Sequence, residues 1–274
     1  MTSFPITQLV VVSVKCPIMG LCEMKNLMRA SLYSVFSAKG IYITMSVLLF
    51  FAVLLGIFPD AFNMRGFSPY SGISTFHFVL LGIGNLIILV LVTAIHVSSK
   101  LFDDHRNVAN LLAFGISKVK IYFSHLAVSM AISAVFMLIF MIIPVTLATV
   151  LRGLGDVELN FVLGKISVFL LNMLLLLALN SLATSLIFIL KRTSRVIGAY
   201  FAIVLFPGLV FELFSFANPG ISRLRSFNIE SNLILLVRLP HLTSHYIIQS
   251  VSLGVGVIVL TTIIGIVLFE LSDI

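Results

Sequence analysis

Few side chains in this 274-residue sequence have the type and spacing that chemistry requires. His241 and His245 stand four residues apart, as zinc ligands on a helix can, but no glutamate completes an H-E-x-x-H arrangement. Asp103, Asp104 and His105 form a second group, for which a surface that is solvated or contacts a partner protein is the better interpretation. No Ser/His/Asp set has a spacing typical of a hydrolase. The sequence therefore predicts no catalytic residue and no metal site.

Glu212 is an acidic residue inside a long apolar run. A carboxylate within lipid is costly and usually faces protein or a water-filled cavity. Two interpretations stay open: a residue that lines a cavity or gates a path, and a carboxylate that is solvated at the outer interface. Asn85 is a second cavity candidate, although hydrogen bonding between helices is the simpler interpretation for it, as it is for Asn172 and Asn180.

The elements that carry these side chains are predicted to lie in lipid. The chain is 60% hydrophobic and 10% charged, whereas a soluble globular chain carries about 25% charged residues. The formal net charge of +7 does not indicate nucleic acid, because Lys and Arg collect in the cytoplasmic loops of membrane proteins. Two cysteines are too few for a disulfide framework.

Six apolar runs have the length of about 20 residues that a crossing helix needs. They do not alternate as barrel strands do, so they predict an all-α integral membrane protein. The predicted crossings are residues 40–58, 76–97, 124–150, 166–190, 196–216 and 246–269. Together they form a transmembrane domain over residues 40–270, after a cytoplasmic N-terminus over residues 1–39.

Eleven of the 17 Lys and Arg residues lie on one side of these crossings. The side richer in positive charge is cytoplasmic, which predicts a multi-pass protein of the cell membrane with both termini inside. The segment from Met24 reads as a natural cytoplasmic start, which would make residues 1–23 an upstream extension.

Two short segments outside the crossings are predicted to be helical. From Met24 to Ala38, an amphipathic pattern places Leu27, Leu32, Val35 and Phe36 near one face. This pattern predicts either a helix lying on the inner leaflet or an extension of the first crossing. Before the last crossing, residues 232–237 are apolar but too few to span, which predicts an interfacial or re-entrant helix.

The inner loop at residues 98–122 is predicted to be a helix, a break and a second helix. Gly115 is suited to end the first helix because it tolerates a left-handed backbone. Ser117 stands where the N-cap of the next helix is expected. A pair of short rigid helices at the membrane face can transmit force, whereas a flexible loop cannot.

The stretch "NLLAFGISKVKIYFSHLAVS", followed by a long apolar helix, resembles the second-loop signature of ABC-2 type transporter permeases. The stretch "MKNLMRASLYSVFSAKG" resembles the N-terminal connecting helix of the same family, and the six-crossing plan extends the likeness over nearly the whole chain. Many members carry a glutamate and a Gly-Thr pair before the "LLA" run. Here that stretch is "LFDDHRNVAN", without a glycine, and this difference leaves the subfamily and its substrate open.

The resemblance implies a permease that works as a homodimer or heterodimer with separate ATPase subunits. This sequence has no G-x-x-x-x-G-K-[ST] phosphate loop, so ATP and Mg²⁺ are expected in the partner and no cofactor in this chain. The cargo expected from few charges along the path is hydrophobic or amphipathic, peptide or drug-like. The residues implied to couple to the ATPase are Asn107, Val108, Leu111, Leu112, Phe114, Gly115, Lys118 and Lys120.

Two other classes of function stay open. A secondary transporter or channel without an ATPase predicts intramembrane charges along a pore and usually internal repeats. A membrane immunity or sensor protein predicts function without any nucleotide-binding partner. Co-purification with an ATPase distinguishes these classes from the permease.

Overall fold

The computed structural model describes residues 19–36, 39–57, 72–81, 86–103, 105–155, 159–208, 210, 228–238 and 242–272. This part of the chain is almost entirely helical and contains no strand. The helices are α1 (Met19–Phe36), α2 (Lys39–Ile57), α3 (Gly72–Leu81), α4 (Leu86–Asp103), α5 (His105–Ala113), α6 (Lys118–Arg152), α7 (Leu159–Leu190), α8 (Thr193–Val204), α9 (Ile229–Arg238) and α10 (Ser244–Leu271).

Three of the described helices, α6, α7 and α10, are long and apolar enough to cross a membrane. The shortest, α10, has 28 residues, which at about 1.5 Å per residue exceeds the hydrocarbon thickness of about 30 Å. Shorter apolar helical stretches begin with α2, α4 and α8, at Lys39–Leu54, Leu86–Ser98 and Thr193–Gly208. The chain is therefore an all-α membrane protein, as its composition and apolar runs predicted.

The second predicted crossing, residues 76–97, corresponds to α3 and α4, and residues 82–85 between them lie outside the described part of the chain. The fifth predicted crossing, residues 196–216, begins within α8, which starts earlier at Thr193, and Glu212 lies outside the described residues. The third predicted crossing lies within α6, which begins earlier, at Lys118, because Ser117 supplies its N-cap.

The centre of the bundle is formed by α6 and α7, which contact each other and most of the other helices. The closest partner of α7 is α10, which runs alongside it. Gly254 permits this approach, since a Cβ there would lie 2.9 Å from Leu174 Cγ. Gly256, two residues on, faces open space, so the two glycines of α10 differ in their packing.

Asn180 of α7 confirms the prediction that an asparagine bonds two helices. Its side-chain oxygen accepts a hydrogen bond from Ser129 Oγ at 2.7 Å, and its amide nitrogen donates to the Ser129 carbonyl at 3.0 Å. The amide nitrogen also donates to Ser133 Oγ. Asn172 differs: it is fully buried, and neither of its amide atoms has a hydrogen-bond partner within the described part of the chain.

The helices α1 and α9, which were predicted outside the six crossings, both pack on the bundle. In α1, Leu27, Ser31 and Val35 are buried, and this helix packs chiefly on α6. Phe36, which was expected on the same face, is 55% exposed, because it lies one residue beyond the buried i, i+4, i+8 stripe. Residues 232–237 are helical, as predicted, within α9, whose Leu233 and Leu236 are fully buried; the interfacial or re-entrant placement of this helix stays a prediction.

Candidate functional site

The α5 segment, which we define as residues 105–117, begins just beyond the end of α4 and ends in a tight turn. The Gly115 amide donates to the Leu112 carbonyl at 2.9 Å, and the Ile116 amide donates to the Leu111 carbonyl at 3.1 Å. This pair of bonds is a Schellman motif, which needs a left-handed residue at its centre. Gly115 has φ +81 and fills that position.

The chain re-enters a helix immediately after this turn. Ser117 has an extended backbone, and its hydroxyl accepts a hydrogen bond from the Lys120 amide at 3.4 Å, so it is the N-cap of α6. The predicted helix, break and helix is thus confirmed. Ile116 ends the Schellman turn, and Ser117 directly precedes α6. The α5 segment therefore has little freedom to move without displacing the start of α6.

One side of the α5 segment is buried and the other is open. Val108 is 1% exposed, and Leu111 and Leu112 are half-buried against the core. Asn110 and Phe114 are exposed, Phe114 to 65%. A large exposed aromatic residue at the end of a short, firmly seated helix can serve as a docking point for another protein. Asn107 lies on α5, where its side chain is outside the described part.

Lys118, in the first turn of α6, lies against the end of α10 rather than on the open side of the α5 segment. Its ammonium donates to the Ser272 carbonyl at 2.8 Å and to the Glu270 carbonyl at 3.1 Å. The nitrogen also lies 5.7 Å from the centre of the Phe269 ring. Lys120, two residues further along the same helix, is half-buried.

An aromatic cluster joins α6, α7 and α10 directly behind Lys118. The rings of Tyr122 and Phe188 are 5.1 Å apart, and the rings of Phe188 and Phe269 are 4.9 Å apart, all in edge-to-face arrangements. The three side chains are fully buried. His125, also buried, packs against Phe188 and lies 3.4 Å from the hydroxyl of Ser31 in α1. Four helices therefore meet at this cluster.

Hydrogen bonds and a close approach of backbone reinforce the same cluster. The hydroxyls of Tyr122 and Ser185 are 2.7 Å apart, and Ser185 donates to the Thr261 carbonyl at 2.8 Å. A Cβ at Gly265 would lie 2.7 Å from the Tyr122 hydroxyl. The spacing of these residues does not predict the cluster; the one signal in the sequence is Tyr122, a polar side chain at the start of an apolar helix.

The two cavity candidates, Glu212 and Asn85, lie outside the described residues. The described residues instead give exposed Asn110 and Phe114 on the α5 segment, a tight turn after them, and a network that joins three long helices.

A family model described as "ABC-2 family transporter protein" matches residues 37–208. The chain belongs to the ABC-2 transporter family. The matched range runs from just before α2 to beyond α8 and includes the whole α5 segment, whereas α9 and α10 lie beyond it. A search of curated proteins found no significant match to the chain.

Membership in the ABC-2 family makes the chain a permease, the multi-pass membrane subunit of an ABC transporter. The family also implies a partner subunit that binds ATP. The resemblance seen in the sequence around residues 110–129 is therefore confirmed at the level of the family.

Proposed function

We propose that this permease exports a hydrophobic or amphipathic cargo, peptide or drug-like, across the cytoplasmic membrane. Each permease copy has six crossings. Two copies, identical or not, assemble with a separate pair of ATPase subunits to form the transporter. ATP and Mg²⁺ bind to the ATPase and not to this chain. Because eleven of the 17 basic residues lie on the side of the α5 segment, this side faces the cytoplasm, and both termini lie there.

The observation that carries the proposal is the geometry of the α5 segment within a chain of this family. Its exposed Phe114 offers a contact to a partner, and its buried Val108 seats it on the bundle. The Schellman turn and the Ser117 cap join it directly to α6. A displacement at Phe114 is therefore passed to a helix of 35 residues.

Co-purification tests the docking site. Permease variants are co-expressed with candidate ATPase subunits from the same genome, and the ATPase retained on the tagged permease is measured. Leu111→Pro should abolish retention, since proline removes a helix amide and breaks α5. Phe114→Ala should reduce it about tenfold or more, as truncation of a central aromatic anchor does. The matched control is Leu154→Ala, an exposed leucine beyond the other end of α6 (59% exposed).

Cysteine labelling tests the orientation. In a background with Cys16 and Cys22 replaced by serine, Phe114→Cys should resist a membrane-impermeant maleimide in intact cells, and Leu154→Cys should react. The reverse pattern would place the α5 segment outside and end the proposal. Cargo export by purified permease without any ATPase would instead favour a secondary transporter, and toxin binding without transport would favour an immunity protein.

A further inference from the structure

The end of α10 carries carbonyl groups that need partners. The last four carbonyls of a helix have no amide of their own helix to bond, and they form the negative end of its dipole. Lys118 of α6 supplies two N–H donors to this end, at 2.8 and 3.1 Å from the Ser272 and Glu270 carbonyls. The contact joins residues more than 150 positions apart in the sequence.

This contact lies at the point where the α5 segment meets the bundle. Lys118 follows the N-cap residue Ser117 directly and stands three positions after Gly115. A rotation of the α5 segment about its turn displaces the first turn of α6, and the two hydrogen bonds carry that displacement to α10. α10 also packs along α7, and Phe269 of α10 contacts Phe188, so Lys118 adds a direct link from the first turn of α6 to a helix that α7 already supports.

The opposite end of α6 has a matching contact. The Arg152 guanidinium donates to the Ile57 carbonyl at the end of α2, at 2.7 Å. Nearby, the Gly72 amide at the start of α3 donates to the Gly153 carbonyl at 3.0 Å. Each end of α6 thus carries a cation that binds the carboxyl end of a different neighbour. A tilt of α6 would move α10 at one face of the membrane and α2 at the other.

We propose that Lys118 is a positioning residue that binds the last crossing helix and not the ATPase, so that displacement of the α5 segment moves α10. This inference rests on the proposed function, because it requires an ATPase to displace the α5 segment. It gives Lys118 a role different from the ATPase contact that the family resemblance implied.

Hydrogen exchange of the amides at residues 266–272 tests the contact in the full-length permease in lipid nanodiscs. Lys118→Met keeps a chain of similar length beside Phe269 but has no donor, and exchange at the end of α10 should be about fivefold faster than in the wild type. Lys118→Arg keeps the donors and should restore protection. Lys25→Met removes an exposed lysine of α1 and should change nothing at these amides.

The same amides in the permease–ATPase complex test the transmission. Addition of ATP and vanadate should change exchange at residues 266–272 in the wild type and in Lys118→Arg. Lys118→Met should lose this change and most of the transport while still binding the ATPase and hydrolysing ATP. A purely structural role would instead lower the amount of folded complex, its ATP hydrolysis and its transport together.

Three outcomes would overturn the inference. They are unchanged exchange in the isolated Lys118→Met permease, an ATP-driven change that persists in this variant, and loss of ATPase binding by Lys118→Met. A wild-type permease that binds no ATPase at all would refute the proposed function instead, and exchange in the isolated permease would still decide whether Lys118 holds α10.

Discussion

Gly115→Ala is the substitution that perturbs the turn of the α5 segment most directly. Gly115 has φ +81, and no atom lies within 4 Å of the position that a Cβ would occupy. The added methyl group therefore meets no neighbour, and its whole cost comes from placing an L-residue in the left-handed region. This cost is about 1–2 kcal/mol, which lowers the ratio of the native turn to its alternatives by a factor of about 5–30.

The expected result is a loss of ATPase affinity without loss of the fold. If only the native turn presents Phe114 correctly, the apparent Kd of the ATPase rises in inverse proportion to the fraction of native turn, by at most the same factor of about 5–30. The assay is titration of purified ATPase onto the permease in nanodiscs. Gly115→Asn should lie between alanine and wild type, because asparagine adopts the left-handed conformation more readily.

Gly198→Ala is the matched control for this experiment. Gly198 lies inside α8, and here too no atom is within 4 Å of a new Cβ. Alanine in a helix interior is neutral or stabilising by up to about 1 kcal/mol relative to glycine, so this variant should bind the ATPase as the wild type does. If hydrogen exchange shows that Gly115→Ala opens the turn at residues 114–117 and the variant still binds equally tightly, the left-handed turn does not set the orientation of the α5 segment.

Three further predictions concern the stability of the permease, each measured as the midpoint of unfolding in mixed micelles. Asn180→Leu should destabilise by about 1–3 kcal/mol because it leaves buried serine groups without partners, whereas Asn172→Leu should be neutral or stabilising; equal effects would contradict the hydrogen-bond assignment. Gly265→Ala should destabilise by about 1–3 kcal/mol through overpacking against the buried tyrosine, and Gly256→Ala, which faces open space, should not. Tyr122→Phe should cost about 1 kcal/mol, the net value of one hydrogen bond, and a loss as large as that of Tyr122→Ala would show that the hydroxyl and not the ring holds the cluster.

The helix, turn and helix at the α5 segment could be predicted from the sequence because the interactions that form them are local. A Schellman turn and an N-cap involve residues within five positions of one another, and each depends on a property of a single residue type: the left-handed tolerance of Gly115 and the side-chain acceptor of Ser117. The all-α membrane class follows equally directly, because long apolar runs must satisfy their backbone hydrogen bonds internally in lipid. Both features can be read without knowing which helices are neighbours.

The different roles of the two asparagines of α7 could not be predicted from the sequence. Asn172 and Asn180 have the same side chain, lie on the same helix and were interpreted in the same way. Asn180 meets Ser129 and Ser133 of α6, and Asn172 has no such partner among the described residues. The prediction that Phe36 lies on the apolar face of α1 was wrong for a similar reason, since the helices on which α1 packs determine which of its faces is buried.

Composition, the length of the apolar runs and the local turn signals determined by themselves that the chain is a helical membrane protein with a rigid helical segment beside α6. Only the tertiary structure decided that Lys118 holds the end of α10 and that Tyr122, Phe188 and Phe269 meet in one cluster. The physical reason is that these contacts join helices far apart in the sequence. Where the long helices are apolar on every side, hydrophobicity does not specify which faces meet, and small residues and a few polar groups specify them instead.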